Sequence, residues 1–343
     1  MQTIDKIMSD KDIKVLKDVS SGSYALTFFI EKNGKRYYRK LATSKTGGVD
    51  KLRAQLEFIL QYGKQLKMPD VSCYYVDEDC CYFDMLSDSK HMSFFDYVAL
   101  GDADNSYRGL MNILQNIVIF HKTHKIESNG DALSQYIKTK IFDNVDFIEK
   151  NGGEYLSKLV SYKTIIINGK EYENLDYYFG ENGILTYDEL YNIFKDDVCS
   201  VIHGDFTIDN IVYSEEVENG TYLIDPNVGN LHQTMFLDYS KLLQSLHSNY
   251  EFYCHTKEFS IKDNQIEYDL GNTYNYENLY KKYDNFLRDN FSKGEYKSIY
   301  AHELVHWLRL MPYKINKNKK TAVLFYAQLL IALKEFVTNF KEI

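Results

Sequence analysis

A short hairpin framed by polar side chains is the feature that most constrains how this chain can fold. Segments 211–213 and 222–224 are strand-like, and the Asn-Gly pair at 219–220 between them is a strong turn signal. Closing the hairpin brings Asn210, just before its first strand, beside Asp225, just after its second. An amide oxygen and a carboxylate suit a magnesium ion that carries phosphates, because magnesium takes few protein oxygens. The sequence therefore predicts a metal site at Asn210 and Asp225.

A second carboxylate, Asp205, lies on the loop that leads into this hairpin. There it can orient an incoming hydroxyl group and accept its proton late, while the metal spreads the developing charge. We expect His203 to hold the loop by hydrogen bonds rather than to titrate, and Gly204 to keep the loop narrow. The alternative is that these residues are only turn formers, because Asp, Asn and Gly are common in loops. That alternative explains each residue separately but not their combination.

The first part of the chain is typical of a small antiparallel sheet. Five strand-like segments alternate with turns, at 13–19, 24–30, 35–41, 71–76 and 80–85. Helical spacing of leucine and isoleucine occupies 49–67, and Pro69 is expected to end that helix. Beyond Leu86 the pattern changes to amphipathic helices, for example over 110–121, with a small inserted hairpin predicted at 164–172. The predicted fold class is therefore α+β: a small antiparallel β lobe with one helix, followed by a larger, mainly α-helical lobe.

The spacing His203-x-Asp205-x-x-x-x-Asn210, followed by Asp225, resembles the catalytic and metal-binding loops of the protein-kinase-like superfamily. Glycine after the histidine, and no Phe-Gly after the metal-binding aspartate, are similar to the aminoglycoside phosphotransferase and choline kinase branch, whose substrates are small molecules. Segment 237–243 also resembles that branch. The resemblance implies a bilobal fold, with a nucleotide-binding lobe at 1–86, a catalytic lobe at 87–343 and the nucleotide in the cleft between them. It also implies catalytic roles for Asp205, His203 and Asn210, and the cofactors ATP and Mg²⁺.

The same resemblance implies where the nucleotide binds. The hairpin tip Ser21, Gly22 and Ser23 would cover the phosphates, although the GxGxxG pattern is absent. Lys40 on the third strand would contact the phosphates. Arg39 competes for that role, because strand neighbours point to opposite faces.

The lysine of such a site is expected to have a partner on the following helix. Glu57 is the predicted acid, and Gln55 is the other position that could align with Lys40. If Gln55 occupies the position, a neutral hydrogen bond replaces the usual ion pair. Segment 82–86 resembles the hinge of these folds, where Met85 would contact the adenine. An ordinary buried strand end explains that segment equally well.

A rival motif, His302-Glu303-x-x-His306, matches the HExxH pattern of zinc metallopeptidases. It would need a third ligand and an open coordination position, and no downstream carboxylate has a suitable spacing. The helix that carries it is apolar and is predicted to end at Pro312, so packed histidines explain the motif better. A third alternative is a catalytically impaired kinase-like binding protein, since a fold does not fix a function.

Charge limits the partners of this chain. Forty Lys and Arg residues against 49 Asp and Glu residues give a net charge of -9, which disfavours nucleic acid and anionic membranes as partners. The cysteines lack CxxC spacing and the N-terminus lacks the apolar core of a signal peptide, so we expect a cytoplasmic protein. The predicted function is transfer of the γ-phosphate of ATP to a hydroxyl of a small acceptor: a sugar, an amino alcohol or an aminoglycoside-like molecule. The sequence leaves the acceptor, ATP against GTP, and the oligomeric state open.

Overall fold

The computed structural model describes residues 12–20, 25–87, 90–101, 103–215 and 220–340. Their contacts group the chain into two compact units. The first unit consists of Met1–Thr123, His203–Asp205 and Asp209–Gly229, and the second of His124–Ile202, Phe206–Ile208 and Asn230–Ile343. Grouping residues by their contacts does not test the predicted boundary between the lobes at Leu86, which therefore stays a prediction.

The strands of the described residues are β1 (Ile13–Asp18), β2 (Leu26–Lys32), β3 (Lys35–Thr43), β4 (Val71–Val76), β5 (Cys80–Leu86), β6 (His91–Ser93), β7 (Thr164–Ile167), β8 (Lys170–Glu173), β9 (Ile211–Ser214), β10 (Thr221–Leu223), β11 (Phe259–Lys262) and β12 (Gln265–Tyr268). The helices are α1 (Val49–Tyr62), α2 (Phe94–Leu100), α3 (Ala103–Thr123), α4 (Gly130–Ile137), α5 (Asp143–Asn151), α6 (Gly153–Val160), α7 (Leu175–Phe179), α8 (Tyr187–Phe194), α9 (Phe236–Leu246), α10 (Tyr250–His255), α11 (Tyr274–Asn290), α12 (Lys293–Lys317) and α13 (Ala322–Phe340).

The first unit contains the predicted antiparallel sheet, in the order β1-β2-β3-β5-β4. Helix α1 packs on β3, β4 and β5 and buries Leu52, Leu56 and Ile59, as predicted. Leu60, expected on the same apolar face, is exposed, and the helix ends at Tyr62, before the predicted end at Pro69. A smaller antiparallel sheet, in the order β10-β9-β6, carries the hairpin predicted before Asp225. The α+β class is therefore confirmed, with the sheet at the start of the chain.

The second unit is mainly helical and contains a four-stranded sheet, in the order β11-β12-β7-β8. Hairpin β7–β8 confirms the predicted insertion. Hairpin β11–β12 was not predicted, and its strand β12 pairs in parallel with β7. Helix α12 packs against both α9 and α13, and its Trp307 side chain is completely buried beside Tyr250, Tyr253 and Phe325.

The prediction that the helix ends at Pro312 is wrong. Helix α12 continues to Lys317 with Pro312 inside it. Proline removes one backbone hydrogen bond from a helix. Met311 and Ile315, on either side of it, are almost completely buried, so packing sustains the last turn.

Of the described residues, α13 alone is long and apolar enough to cross a membrane. Two thirds of its apolar window, 67%, is buried within the protein. Such burial is typical of a core helix rather than of a lipid-facing one.

Candidate active site

The hairpin β9–β10 brings the predicted metal ligands to one end of a ribbon. Leu223 pairs with Ile211, and the Ile224 amide donates to the Asn210 carbonyl at 3.0 Å. Asp225 follows directly with a φ of 59°, a left-handed conformation that aspartate tolerates better than most residues. The predicted geometry of the backbone is thus present.

Asn210 is locked to the loop that carries Asp205. Its Nδ2 donates to the Asp205 carbonyl at 2.7 Å and to the Asp205 carboxylate at 2.9 Å. Both of these hydrogen bonds are donated by the amide nitrogen. The Oδ1 atom of Asn210 accepts no hydrogen bond from the described part of the chain. Gly204 has a φ of 80°, a conformation that glycine adopts without a steric penalty. The loop therefore presents one carboxylate and one amide oxygen together.

His203 is fully buried and holds this loop against the end of β10. Its Nε2 lies 2.9 Å from the Ile224 carbonyl, which can only accept, so Nε2 carries the proton. Its Nδ1 then accepts from the Asp205 amide at 3.4 Å, and its own carbonyl accepts from Asn227 at 2.8 Å. These contacts match the expectation that His203 holds the loop.

Lys40, on β3, points to the hairpin. Its Nζ lies 2.5 Å from Oδ1 of Asp225, whose side chain is partly exposed. Arg39 points to the opposite face of the sheet, where two bonds of 2.7 and 2.8 Å join its guanidinium to Asp84. Strand alternation places only one of these two cations at Asp225, and it is Lys40.

Gln55, not Glu57, meets Lys40, which corrects the choice of Glu57 as the partner. The Gln55 side chain is buried, donates to the Pro226 carbonyl at 2.8 Å and lies 3.4 Å from the Lys40 nitrogen. Glu57 is exposed, because residues two apart on a helix point roughly 200° away from each other. The partner that α1 offers to Lys40 is therefore a neutral amide and not a carboxylate.

The remaining predicted nucleotide contacts stay predictions. Ser21, Gly22 and Ser23 lie outside the described residues. Met85 is buried on β5. Its side chain lies on the same face of the sheet as that of Phe83, the residue that pairs with Lys40. The backbone carbonyls of Ile224 and Pro226, which anchor His203 and Gln55, could not be predicted as parts of the site. Every residue has a backbone carbonyl, so the sequence contains no signal for these contacts.

The rival HExxH residues contact different partners. His302 Nε2 lies 2.7 Å from Asp197, and His306 Nε2 lies 2.9 Å from the Ser240 hydroxyl. Glu303 accepts from His247 at 2.9 Å. Among the described residues, the two histidines do not belong to a common group of metal-ligating atoms. The geometry therefore does not favour a metallopeptidase.

Comparison with known proteins shows that the chain is similar in fold to several solved structures. No family model matches the chain, and no curated protein matches it in sequence. Among solved structures, an aminoglycoside phosphotransferase APH(4)-Ia mutant in complex with ADP and hygromycin B has a TM-score of 0.57 at 10% identity, covering 96% of this chain and 98% of that one. LicA in complex with AMP has a TM-score of 0.53 at 13% identity, covering 97% and 96%. Choline kinase from Cryptosporidium parvum Iowa II has a TM-score of 0.51 at 12% identity, covering 97% and 92%. The chain thus has the α+β protein-kinase-like fold, in the form found in aminoglycoside phosphotransferases and choline kinases.

Proposed function

We propose that this chain is an ATP- and magnesium-dependent kinase that phosphorylates a hydroxyl group of a small molecule. One observation carries the proposal: Lys40, Asp205, Asn210 and Asp225 lie around the end of a single hairpin, linked by bonds of 2.5 Å from Lys40 to Asp225 and 2.9 Å from Asn210 to Asp205. All four residues belong to the same compact unit. Turn-forming propensity alone does not explain why a lysine on β3 joins them.

The side-chain atoms fit a magnesium ion. Oδ1 of Asn210 and the second carboxylate oxygen of Asp225 accept nothing from the described residues, so both are available as hard oxygen ligands. Magnesium bound there would neutralise charge on the ATP phosphates. Lys40, now paired with Asp225, would contact those phosphates as a point charge.

Asp205 would act on the acceptor. Its partly exposed carboxylate is held by Asn210, so it can orient a hydroxyl and accept its proton as the phosphoryl group transfers. His203 would act through Asp205, as a buried positioning residue. Met85 would contact the adenine, and the tip at Ser21, Gly22 and Ser23 would cover the phosphates.

The fold neighbours and the acidic net charge of the chain support the proposed acceptor class. Hygromycin B and choline appear in the names of similar structures, which supports sugars, amino alcohols and aminoglycoside-like molecules as candidates. With a net charge of -9, a nucleic acid or an anionic membrane is not a favoured partner. We propose a cytoplasmic site of action.

An ATP-consumption screen across these acceptor classes, with magnesium present, tests the proposal. We expect acceptor-dependent turnover that falls by about 10²–10⁴ in Asp205→Ala, the size expected for loss of a general base. The matched control is Glu57→Gln, which is exposed and should keep wild-type activity. Unchanged turnover in Asp205→Ala would remove that residue from the site. Nucleotide binding without turnover on any acceptor would favour the kinase-like binding protein.

A further inference from the structure

A buried cluster in the second unit contains three side chains that commonly bind metals. Asp197, His232 and His302 place one ligand atom each within 4.8 Å of one another. Both histidines use Nε2 and approach the same carboxylate oxygen, at 3.2 Å for His232 and 2.7 Å for His302. Ligand atoms around a tetrahedral zinc ion are roughly 3.3 Å apart, for bonds of about 2.0–2.1 Å. To accept an ion, the His302 contact would lengthen by about 0.6 Å, and the two Nε2 atoms, which lie within 4.8 Å of each other, would come to roughly 3.3 Å.

Outer hydrogen bonds hold two of the three ligands, Asp197 and His302, in place. Ser298 donates to the other oxygen of Asp197 at 2.6 Å, and the Tyr136 hydroxyl lies 2.9 Å from Nδ1 of His302. Metal binding at Nε2 moves the imidazole proton to Nδ1. Because a hydroxyl both donates and accepts, the contact with Tyr136 survives that change with its roles reversed. Such second hydrogen bonds are typical of histidines that bind metals.

The charge of the cluster also favours a cation. Asp197 supplies a buried carboxylate, which accepts hydrogen bonds from His232, His302 and Ser298. Among the described residues, no lysine or arginine forms an ion pair with Asp197. A metal ion bound there would supply the positive charge that a buried carboxylate favours.

We propose that Asp197, His232 and His302 bind a zinc-class transition-metal ion, which is separate from the proposed kinase site. Imidazole ligands select zinc, cobalt or nickel rather than magnesium. A surface cavity of about 500 Å³ is lined in part by Asp197 and Ser298, so an ion and a water ligand would enter from the Asp197 side. His302 thus takes part in metal binding with ligands outside the HExxH motif. The ion cross-links α12 to the segments around residues 197 and 232 and stabilises the second unit.

Metal titration of the untagged full-length chain, after removal of metal with a chelator, tests this site. We expect one zinc ion per chain by mass spectrometry of the metal content, and a rise in melting temperature on adding zinc. Zinc affinity should fall at least about tenfold in His232→Gln, which keeps a hydrogen-bond donor near Asp197 but removes the imidazole ligand. His255→Gln, an exposed histidine of the same unit, is the matched control and should bind zinc like the wild type.

X-ray absorption at the zinc edge of the wild type needs no variant. The expected signal is that of two imidazole rings and oxygen donors. A wild-type chain that does not bind zinc, equal affinity in His232→Gln, or an equal loss in His255→Gln would each overturn the proposal. None of these results depends on kinase activity, so this site can fail while the kinase proposal stands.

Discussion

Gln55 offers a sharp test of how the candidate active site is held together. Its amide donates to the Pro226 carbonyl at 2.8 Å, and Pro226 directly follows Asp225. Its oxygen is 3.4 Å from the Lys40 nitrogen, a distance too long for a strong hydrogen bond. The substitution Gln55→Leu keeps the side-chain size and removes both contacts. We expect the anchor of Pro226, rather than the contact with Lys40, to dominate the effect.

The magnitude follows from burial. Gln55 is only 3% exposed, so removing its donor leaves the Pro226 carbonyl without a partner inside the protein. A stranded buried acceptor costs about 1–3 kcal/mol, and apolar burial of leucine offsets part of this cost. The net loss in free energy of unfolding should be about 1–2 kcal/mol. That loss lowers the melting temperature by roughly 2–4 °C for each kcal/mol.

Thermal unfolding and the KM for ATP measure the two consequences. The variant should melt below the wild type, and its KM for ATP should rise because Asp225 loses the support of its neighbour. Glu57→Gln, an exposed change on the same helix, should stay within about 0.5 kcal/mol of the wild type. Equal melting of Gln55→Leu and the wild type, or a larger loss in Glu57→Gln, would refute this reasoning.

Two further outcomes follow from buried charges. Asp84→Asn removes the charge that compensates Arg39 and replaces one of its two acceptor oxygens by an NH2 donor, at a site where both side chains are 2% exposed. The loss in urea unfolding should be about 3–5 kcal/mol, and a loss below about 1 kcal/mol would contradict this expectation. Burial alone would lower the pKa of His247, but the Glu303 carboxylate outweighs it and raises the pKa from 6.5 to about 9. The folded pKa exceeds the unfolded one, so this stabilisation is complete below pH 6.5 and is lost as the pH rises to about 9. Melting temperatures across that range should fall in the wild type and fall less in His247→Gln, and parallel curves would contradict the assignment.

Local signals explain most of what the sequence predicted. The hairpins at β7–β8 and β9–β10 were predicted because an Asn-Gly pair between two strand-like segments is a local turn signal. Hairpin β11–β12 alternates apolar and polar residues in the same way, but turns at Asp263, whose φ is 52°. The alternation was a usable signal for two strands, but the hairpin was not predicted because its turn contains no glycine.

Contacts between distant segments explain what the sequence did not predict. The choice between Gln55 and Glu57 depends on a bond to a carbonyl 171 residues away, which no local pattern encodes. The length of α12 depends on tertiary burial around Pro312, which overrides the helix-breaking tendency of proline. Strand alternation says only that one of Lys40 and Arg39 faces the hairpin. Lys40, the residue chosen from the sequence, is the one that lies beside Asp225.

Calorimetric titration of ATP, with and without magnesium, into the wild type and Asp225→Asn tests the central claim most directly. Asparagine keeps the shape of Asp225 and removes the charge that pairs with Lys40 at 2.5 Å. We predict that magnesium tightens ATP binding to the wild type, and that affinity for magnesium-ATP falls at least about tenfold, or 1.4 kcal/mol, in the variant. Equal, magnesium-independent ATP binding by both proteins would contradict a metal site at the end of the β9–β10 hairpin.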